Sequence, residues 1–207
     1  MRNNLYNLGL EKNFEKVNKT ATNAIFLMVL NIVVFFLVGL FAVKPFYTSQ
    51  TTDAEIVTYG VQYLSIVLMC SFGIFFQFVF DKMLQSTGNT FYTMITQMVG
   101  AIINIVLDPI LIFGLFGFPK MGVIGAAVAT VAGQIIAAIV SLIFNLTKNK
   151  EINMSFKGFK PDMDIIKQIY KVGVPSIIMQ SIGSIMTYGM NQILIAFSTT
   201  ATAVFGV

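Results

Sequence analysis

Apolar residues in this chain do not alternate with polar ones. They run in long continuous blocks, at Ala21–Val43, Ile56–Phe80, Phe91–Phe116, Gly122–Leu146 and about Val174–Phe197. Each block exceeds the roughly 20 residues that a helix needs to cross a hydrocarbon core. Continuous rather than alternating hydrophobicity excludes a transmembrane β-barrel reading. The pattern therefore predicts five membrane-spanning helices joined by mostly short connections. Lys44–Glu55 holds Pro45 and an acidic end, Asp81–Thr90 holds the turn signal Gly88-Asn89, and Gly117–Met121 holds Pro119. Thr147–Lys171 is longer. Within it Pro161-Asp162 opens an amphipathic run, with Met163, Ile166, Ile169 and Tyr170 on one face, that predicts an interfacial helix. Pro175 is expected in the first turn of the fifth spanning helix, where its missing N–H costs little.

Composition agrees with this pattern. The 207 residues are 56% hydrophobic and only 11% charged, where a soluble domain carries about 25%, and the mean hydropathy is +0.80. The chain has no histidine, hence neither the usual general base near neutral pH nor the commonest metal ligand. Its one cysteine, Cys70, reads as a small packed hydrophobe. The net charge of +4 is unevenly spread. Residues 1–20, Lys82 and the 147–171 loop carry eleven of the thirteen basic residues, against Lys44 and Lys120 on the other side. This asymmetry speaks to topology rather than to nucleic acid, and it places the N-terminus and the 147–172 loop in the cytoplasm. The third helix then runs outward, with Asp108 in the outer half of the bilayer.

Asp108 is the one charged side chain inside these five blocks. A carboxylate in hydrocarbon costs about 3 kcal/mol on insertion scales, so it faces a cavity or a partner, or it holds a proton. Gln97, Ala101, Asn104 and Asp108 fall at i, i+4, i+7 and i+11, one polar and small stripe on a helix. Pro109 follows and cannot bond the carbonyl of Ile105, which makes it a bendable point and frees an acceptor for water or an ion. The bland alternative is a hydrogen-bonded carboxyl that fixes the helix near Pro109.

Two further faces stand out. Gly125, Ala129, Gly133 and Ala137 recur at every fourth position of the fourth helix, a surface for close helix packing. Thr130 lies beside that face; its hydroxyl either bonds its own backbone or points into a cavity. On the fifth helix Gln180, Ser184, Thr187 and Asn191 form an uncharged polar stripe, widened by Tyr188 and Gln192. It suits an aqueous path and interhelical hydrogen bonding equally. Twelve methionines and twenty phenylalanines supply mostly filler, or a greasy cavity for varied substrates.

The run Asn104-Ile105-Val106-Leu107-Asp108-Pro109, followed by Gly122-Val123-Ile124-Gly125-Ala126-Ala127-Val128-Ala129-Thr130, resembles the multidrug and toxic compound extrusion (MATE) transporters. Gln85-Ser86-Thr87-Gly88-Asn89-Thr90 is similar to the family's loop before that helix, and Gly173-Val174-Pro175-Ser176 to the start of its seventh helix. The resemblance implies an all-α integral membrane protein: a polytopic helix bundle that is part of a twelve-helix transporter, covering helices three to seven. Residues 1–146 would belong to the N-terminal six-helix bundle with four spans, 147–172 to a cytoplasmic linker with an amphipathic helix, and 173–207 to the start of the C-terminal bundle. Helix eight would begin within Ser198–Val207.

The resemblance further implies efflux of lipophilic cationic drugs or other xenobiotics across the plasma membrane, driven by H+ or Na+ entry, with no other cofactor and a monomeric transporter at full length. Asn104 and Asp108 match the family's helix-five cation-site residues, and Thr130 loosely matches its helix-six hydroxyl. No acidic residue lies between Gly173 and Val207, so the helix-seven carboxylate of some members has no counterpart here.

Three rivals are weighed against this. A lipid-linked oligosaccharide flippase of the same superfamily needs a basic cavity, and no Lys or Arg lies inside the blocks. An intramembrane enzyme needs a zinc site, a Ser–Lys or Ser–His dyad, or paired aspartates; the chain lacks His, intramembrane Lys and a second intramembrane Asp. A purely structural subunit would use Asp108 only as a helix fixative.

Overall fold

The computed structural model describes residues 2–51, 53–149, 152 and 161–197; for 2–15, 191, 192 and 194–197 it describes the backbone alone. Among the described residues the secondary structure is entirely helical. The polar N-terminal stretch and the first apolar block form one helix, α1 (Arg2–Phe41), continued after a turn by α2 (Val43–Gln50). The second block is broken. α3 (Ala54–Met69) and α4 (Phe72–Ser86) meet at Cys70 and Ser71 with a 48° bend. The break falls just before Gly73, where a Cβ would come within 3.1 Å of the Ile135 backbone nitrogen. α4 can approach α6 that closely only there.

α5 (Thr90–Phe113) and α6 (Val123–Lys148) are the third and fourth blocks. Gly114 ends α5 in the left-handed conformation, with its N–H bonded to the Ile110 carbonyl at 3.0 Å. A Cβ there would also meet the Lys120 backbone nitrogen at 2.8 Å, so the turn requires glycine twice over. A 3-10 turn at Leu115–Gly117 follows, and the chain returns antiparallel.

α7 (Met163–Phe197) corrects two expectations. The amphipathic run and the fifth block are one continuous helix, not two. Pro175 consequently lies inside a helix and not in a first turn. No Gly–Pro pair or left-handed residue stops the chain between Tyr170 and Val174, so helix propagation wins over the single hydrogen bond that Pro175 forfeits.

Three helices among the described residues are long and apolar enough to span a membrane: Lys16–Phe41 within α1, α5 and α6. The α3–α4 pair makes a fourth if the bent pair is one span. The expected fifth span does not join them, because Gln180, Ser184 and Thr187 dilute the apolar character of α7. The chain divides into two compact units, residues 1–160 and 161–207.

In the first unit the helices pack through small residues. Gly125, Ala129, Gly133 and Ala137 are all buried, as the fourfold spacing predicts. A Cβ on Gly133 would lie 2.8 Å from the Gly100 carbonyl oxygen, and one on Gly125 would lie 2.6 Å from that of Leu111. α5 and α6 therefore touch backbone to backbone along their length. α1 closes the other side, where Ala21, Ile25 and Met28 pack with Phe80, Met83 and Ile152, and Phe35 meets Phe75 edge-on at 5.1 Å. The outer faces of α1 and α5 remain apolar and exposed, at Val33, Leu37, Ile105 and Phe113 among others. Such faces suit lipid or further helices.

Candidate functional site

The α5–α6 seam brings three of the expected residues together. Asn104 and Asp108 are one turn apart on α5, and Thr130 faces them from α6. The Asn104 amide satisfies both of its ends in one orientation. Its nitrogen then donates to Asp108 Oδ2 at 3.2 Å, and its oxygen accepts from the Thr130 backbone N–H at 3.2 Å. The same amide end lies 3.3 Å from Thr130 Oγ1. Thr130 Oγ1 itself donates to the Ala126 carbonyl at 2.9 Å, the self-bonding geometry. Both sequence readings of Thr130 thus describe part of one arrangement. Asp108 Oδ1 is shut off from solvent and has no hydrogen-bond partner among the described residues. That atom is an acceptor in a low-dielectric setting, where leaving it unpaired is costly. Pro109 lies within α5 directly after it. Among the described residues no three His, Cys, Asp or Glu side chains converge as a metal site would require.

A polar cleft of about 240 Å³ opens beside this pair. Gln97, Ala101 and Asn104 line it from α5, which places the predicted stripe on a real surface; Thr130 and Gln134 line it from α6 and Gln77 from α4. Gln77 and Gln134 were missed in the sequence, although each is an amide inside an apolar block. Gln134 Oε1 is buried without a partner among the described residues.

On α7, Gln180, Ser184, Thr187 and Tyr188 line one groove, as their spacing predicts. Thr187 Oγ1 donates to the Gly183 carbonyl at 3.0 Å, while Gln180 and Ser184 are exposed or nearly so. The side chains of Asn191 and Gln192, like Ser198–Val207 where helix eight was expected, lie outside the described residues.

The principal correction concerns Asp81. The sequence pattern assigns it to a polar connection and leaves Asp108 as the one intramembrane charge. Asp81 instead lies within α4, only 3% exposed. Its Oδ1 accepts from Thr96 Oγ1 of α5 at 2.8 Å and from Ser141 Oγ of α6 at 2.7 Å. The Asp-Lys pair looks like the onset of a loop. But α4 continues to Ser86, and successive residues on a helix point about 100° apart, so Asp81 turns inward while Lys82 turns out.

These features define a polytopic helical membrane protein with an ionisable site between two of its spans. The chain belongs to the MatE family, whose sequence model matches residues 7–110, from α1 through Asn104 and Asp108. It is 33% identical over 168 residues to the probable multidrug resistance protein NorM of Bacillus thuringiensis subsp. konkukian (strain 97-27), covering 79% of this chain and 37% of that protein. Its structure superposes on a multidrug resistance MATE family transporter of the MOP superfamily in the inward-facing conformation with a TM-score of 0.83, at 27% identity, over 94% of this chain and 44% of that one. The MATE multidrug transporter DinF-BH, in complex with rhodamine 6G, gives 0.82 at 29% identity over 91% and 42%. The chain thus spans less than half the length of these relatives. The family is one of transporters, not of enzymes.

Proposed function

We propose that this chain is part of a cation-coupled antiporter that exports drugs or other xenobiotics across the plasma membrane. One observation carries the proposal: Asn104 joins the Asp108 carboxylate on α5 to Thr130 on α6, beside a proline that interrupts the α5 hydrogen-bond ladder. Asp108 Oδ1 is the atom that takes the entering H+ or Na+. The Asn104 N–H holds Oδ2 in place, and Pro109 lets the outer end of α5 swing when the charge is neutralised. Because α5 and α6 touch through Gly100, Gly125 and Gly133, the swing is felt across the bundle. The α7 groove with Gln180, Ser184, Thr187 and Asn191 serves the substrate route, and lipophilic cations are its ligands. NorM and DinF-BH, by their names and the rhodamine 6G complex, support that class. Residues 1–146 belong to the N-terminal bundle, 147–172 form a cytoplasmic linker, and 173–207 begin the second bundle. The lysine asymmetry supports this orientation.

The test is transport by the complete protein in vesicles. They are loaded with rhodamine 6G and given either a proton or a sodium gradient, with Asp108→Asn alongside. Dye movement driven by one gradient and reduced at least tenfold in the variant is expected. Equal movement in wild type and variant would remove Asp108 from the coupling mechanism. No movement under either gradient would favour the lipid-linked flippase.

A further inference from the structure

We propose that Asp81 is a second protonation site, in series with Asp108, through which the coupling proton leaves toward the cytoplasmic end of the bundle. The proposal rests on the antiporter reading above and adds the exit to it.

The chemistry around Asp81 suits a proton better than a metal cation. Oxygens that share an ion at about 2.4 Å stand about 3.4 Å apart. Here Thr96 Oγ1 and Ser141 Oγ touch the carboxylate oxygen directly, at 2.8 and 2.7 Å. Thr96 also has a choice of acceptor, since its hydroxyl lies 2.7 Å from the Thr93 carbonyl. With Asp81 ionised, Thr96 and Ser141 both donate to Oδ1. With Asp81 protonated on Oδ1, that O–H donates to Thr96 Oγ1, Thr96 turns its own proton to the Thr93 carbonyl, and Ser141 still donates to Oδ1. A hydroxyl rotates freely to do this. Both protonation states are hydrogen-bonded with no heavy atom moved, so neither carries the cost of an unpaired buried group.

The route between the two carboxylates is polar. Asp81 lies beside Thr96, twelve residues and so about 18 Å along α5 from Asp108. The 240 Å³ cleft spans this interval, lined at one end by Asn104 and Thr130 and at the other by Gln77, one turn before Asp81 on α4, and Gln97, next to Thr96. At roughly 30 Å³ per molecule it holds several waters, and its glutamine and asparagine groups give them partners. Beyond Asp81 the row continues. Asn145 Nδ2 donates to the Phe80 carbonyl at 2.9 Å, and Asn149 Nδ2 donates to Asn145 Oδ1 at 3.2 Å, reaching the end of α6. In the step itself the Asp108 O–H breaks and cleft water carries the proton. An O–H forms on the Asp81 carboxylate, which later returns the proton to water at the cytoplasmic end.

The charged and titratable groups on the helices packed around Asp81 are few. Lys82, next on α4, donates to Gln85 Oε1 at 2.9 Å and lines a separate cavity with Lys16 of α1. Lys19 is also on α1, Tyr92 of α5 stacks on Phe144 at 4.8 Å, and Lys148 ends α6.

Asp81→Asn separates this role from a purely structural one. The amide oxygen still accepts from Thr96 and Ser141, but it holds no carboxyl proton. In the complete transporter, reconstituted and driven by a proton gradient, Asp81→Asn should lose at least tenfold in rhodamine 6G transport and flatten its dependence on cytoplasmic pH, while Asp81→Glu restores both. A folded Asp81→Asn protein with wild-type rate and pH profile, beside an inactive Asp108→Asn, would overturn this proposal and leave the antiporter reading standing. An active Asp108→Asn protein would sink the reading beneath it instead. Transport that follows a sodium gradient and ignores pH also overturns it. If Asp81→Asn does not fold, the Thr96→Val/Ser141→Ala double variant removes the two donors, and an unshifted pH profile there overturns the proposal in the same way.

Discussion

Asn104 and Asp108 lie one turn apart on α5, and the asparagine amide nitrogen is 3.2 Å from the aspartate Oδ2. The same amide reaches across to the Thr130 backbone N–H. One side chain therefore orients the carboxylate and fastens it to the neighbouring helix. Asn104→Leu keeps the volume and removes both bonds. It should lower gradient-driven dye transport at least tenfold. Thr130→Val should lower it only severalfold, because the backbone N–H that Asn104 uses survives. Vesicle assays on the two variants at matched protein content check the order; equal losses would place the hydroxyl, not the amide bridge, at the centre.

Pro109→Ala returns an N–H to the Ile105 carbonyl and closes the α5 ladder. The variant should be at least as stable to heat as the wild type, yet transport severalfold more slowly, because the hinge stiffens. Thermal unfolding and transport rate measured on one preparation test this. A faster or unchanged rate would show that the outer end of α5 does not bend in the cycle.

Gly133→Ala and Gly125→Ala push a methyl into backbone oxygen, at 2.8 Å from Gly100 and 2.6 Å from Leu111. Backbone cannot rotate away, so each should cost about 1–3 kcal/mol, seen as a lowered Tm in detergent. Gly173→Ala meets nothing within 4 Å. In the interior of α7 it should gain up to about 1 kcal/mol. The contrast between the sites separates packing from helix propensity.

Asp53 caps α3, with Oδ1 accepting from the Glu55 N–H at 2.9 Å and the Ile56 N–H at 3.4 Å. Asp53→Ala should cost about 1 kcal/mol and Asp53→Asn much less. Urea or thermal melts of the two variants test the difference. An equal cost would mean that charge rather than the hydrogen bond holds the cap.

The coupling residues were legible because a carboxylate inside an apolar block has no ordinary reason to be there, and because Asn104, Asp108 and Thr130 sit at spacings that a helix turns to one side. Gln77 and Gln134 share the first property but fall on no stripe with Asp108. They join the cleft only because α4 and α6 carry them there. Asp81 was hidden by its position next to Lys82, at the edge of an apolar block, where sequence hydropathy changes sign before the helix ends.

Local periodicity and hydropathy determined the helical class, the four blocks of the first unit, the small-residue face of α6 and the stripe that holds Asp108. These follow from contacts within a few residues of one another and from the cost of placing polar groups in hydrocarbon. Three things needed the tertiary structure. They are the break at Cys70 and Ser71, set by the approach of Gly73 to α6; the continuity of α7 through Pro175, which let the helix absorb one missing hydrogen bond; and the burial of Asp81. The last depends on Thr96 and Ser141, 15 and 60 residues away. No local pattern can register partners so distant, because only folding brings three helices to one carboxylate.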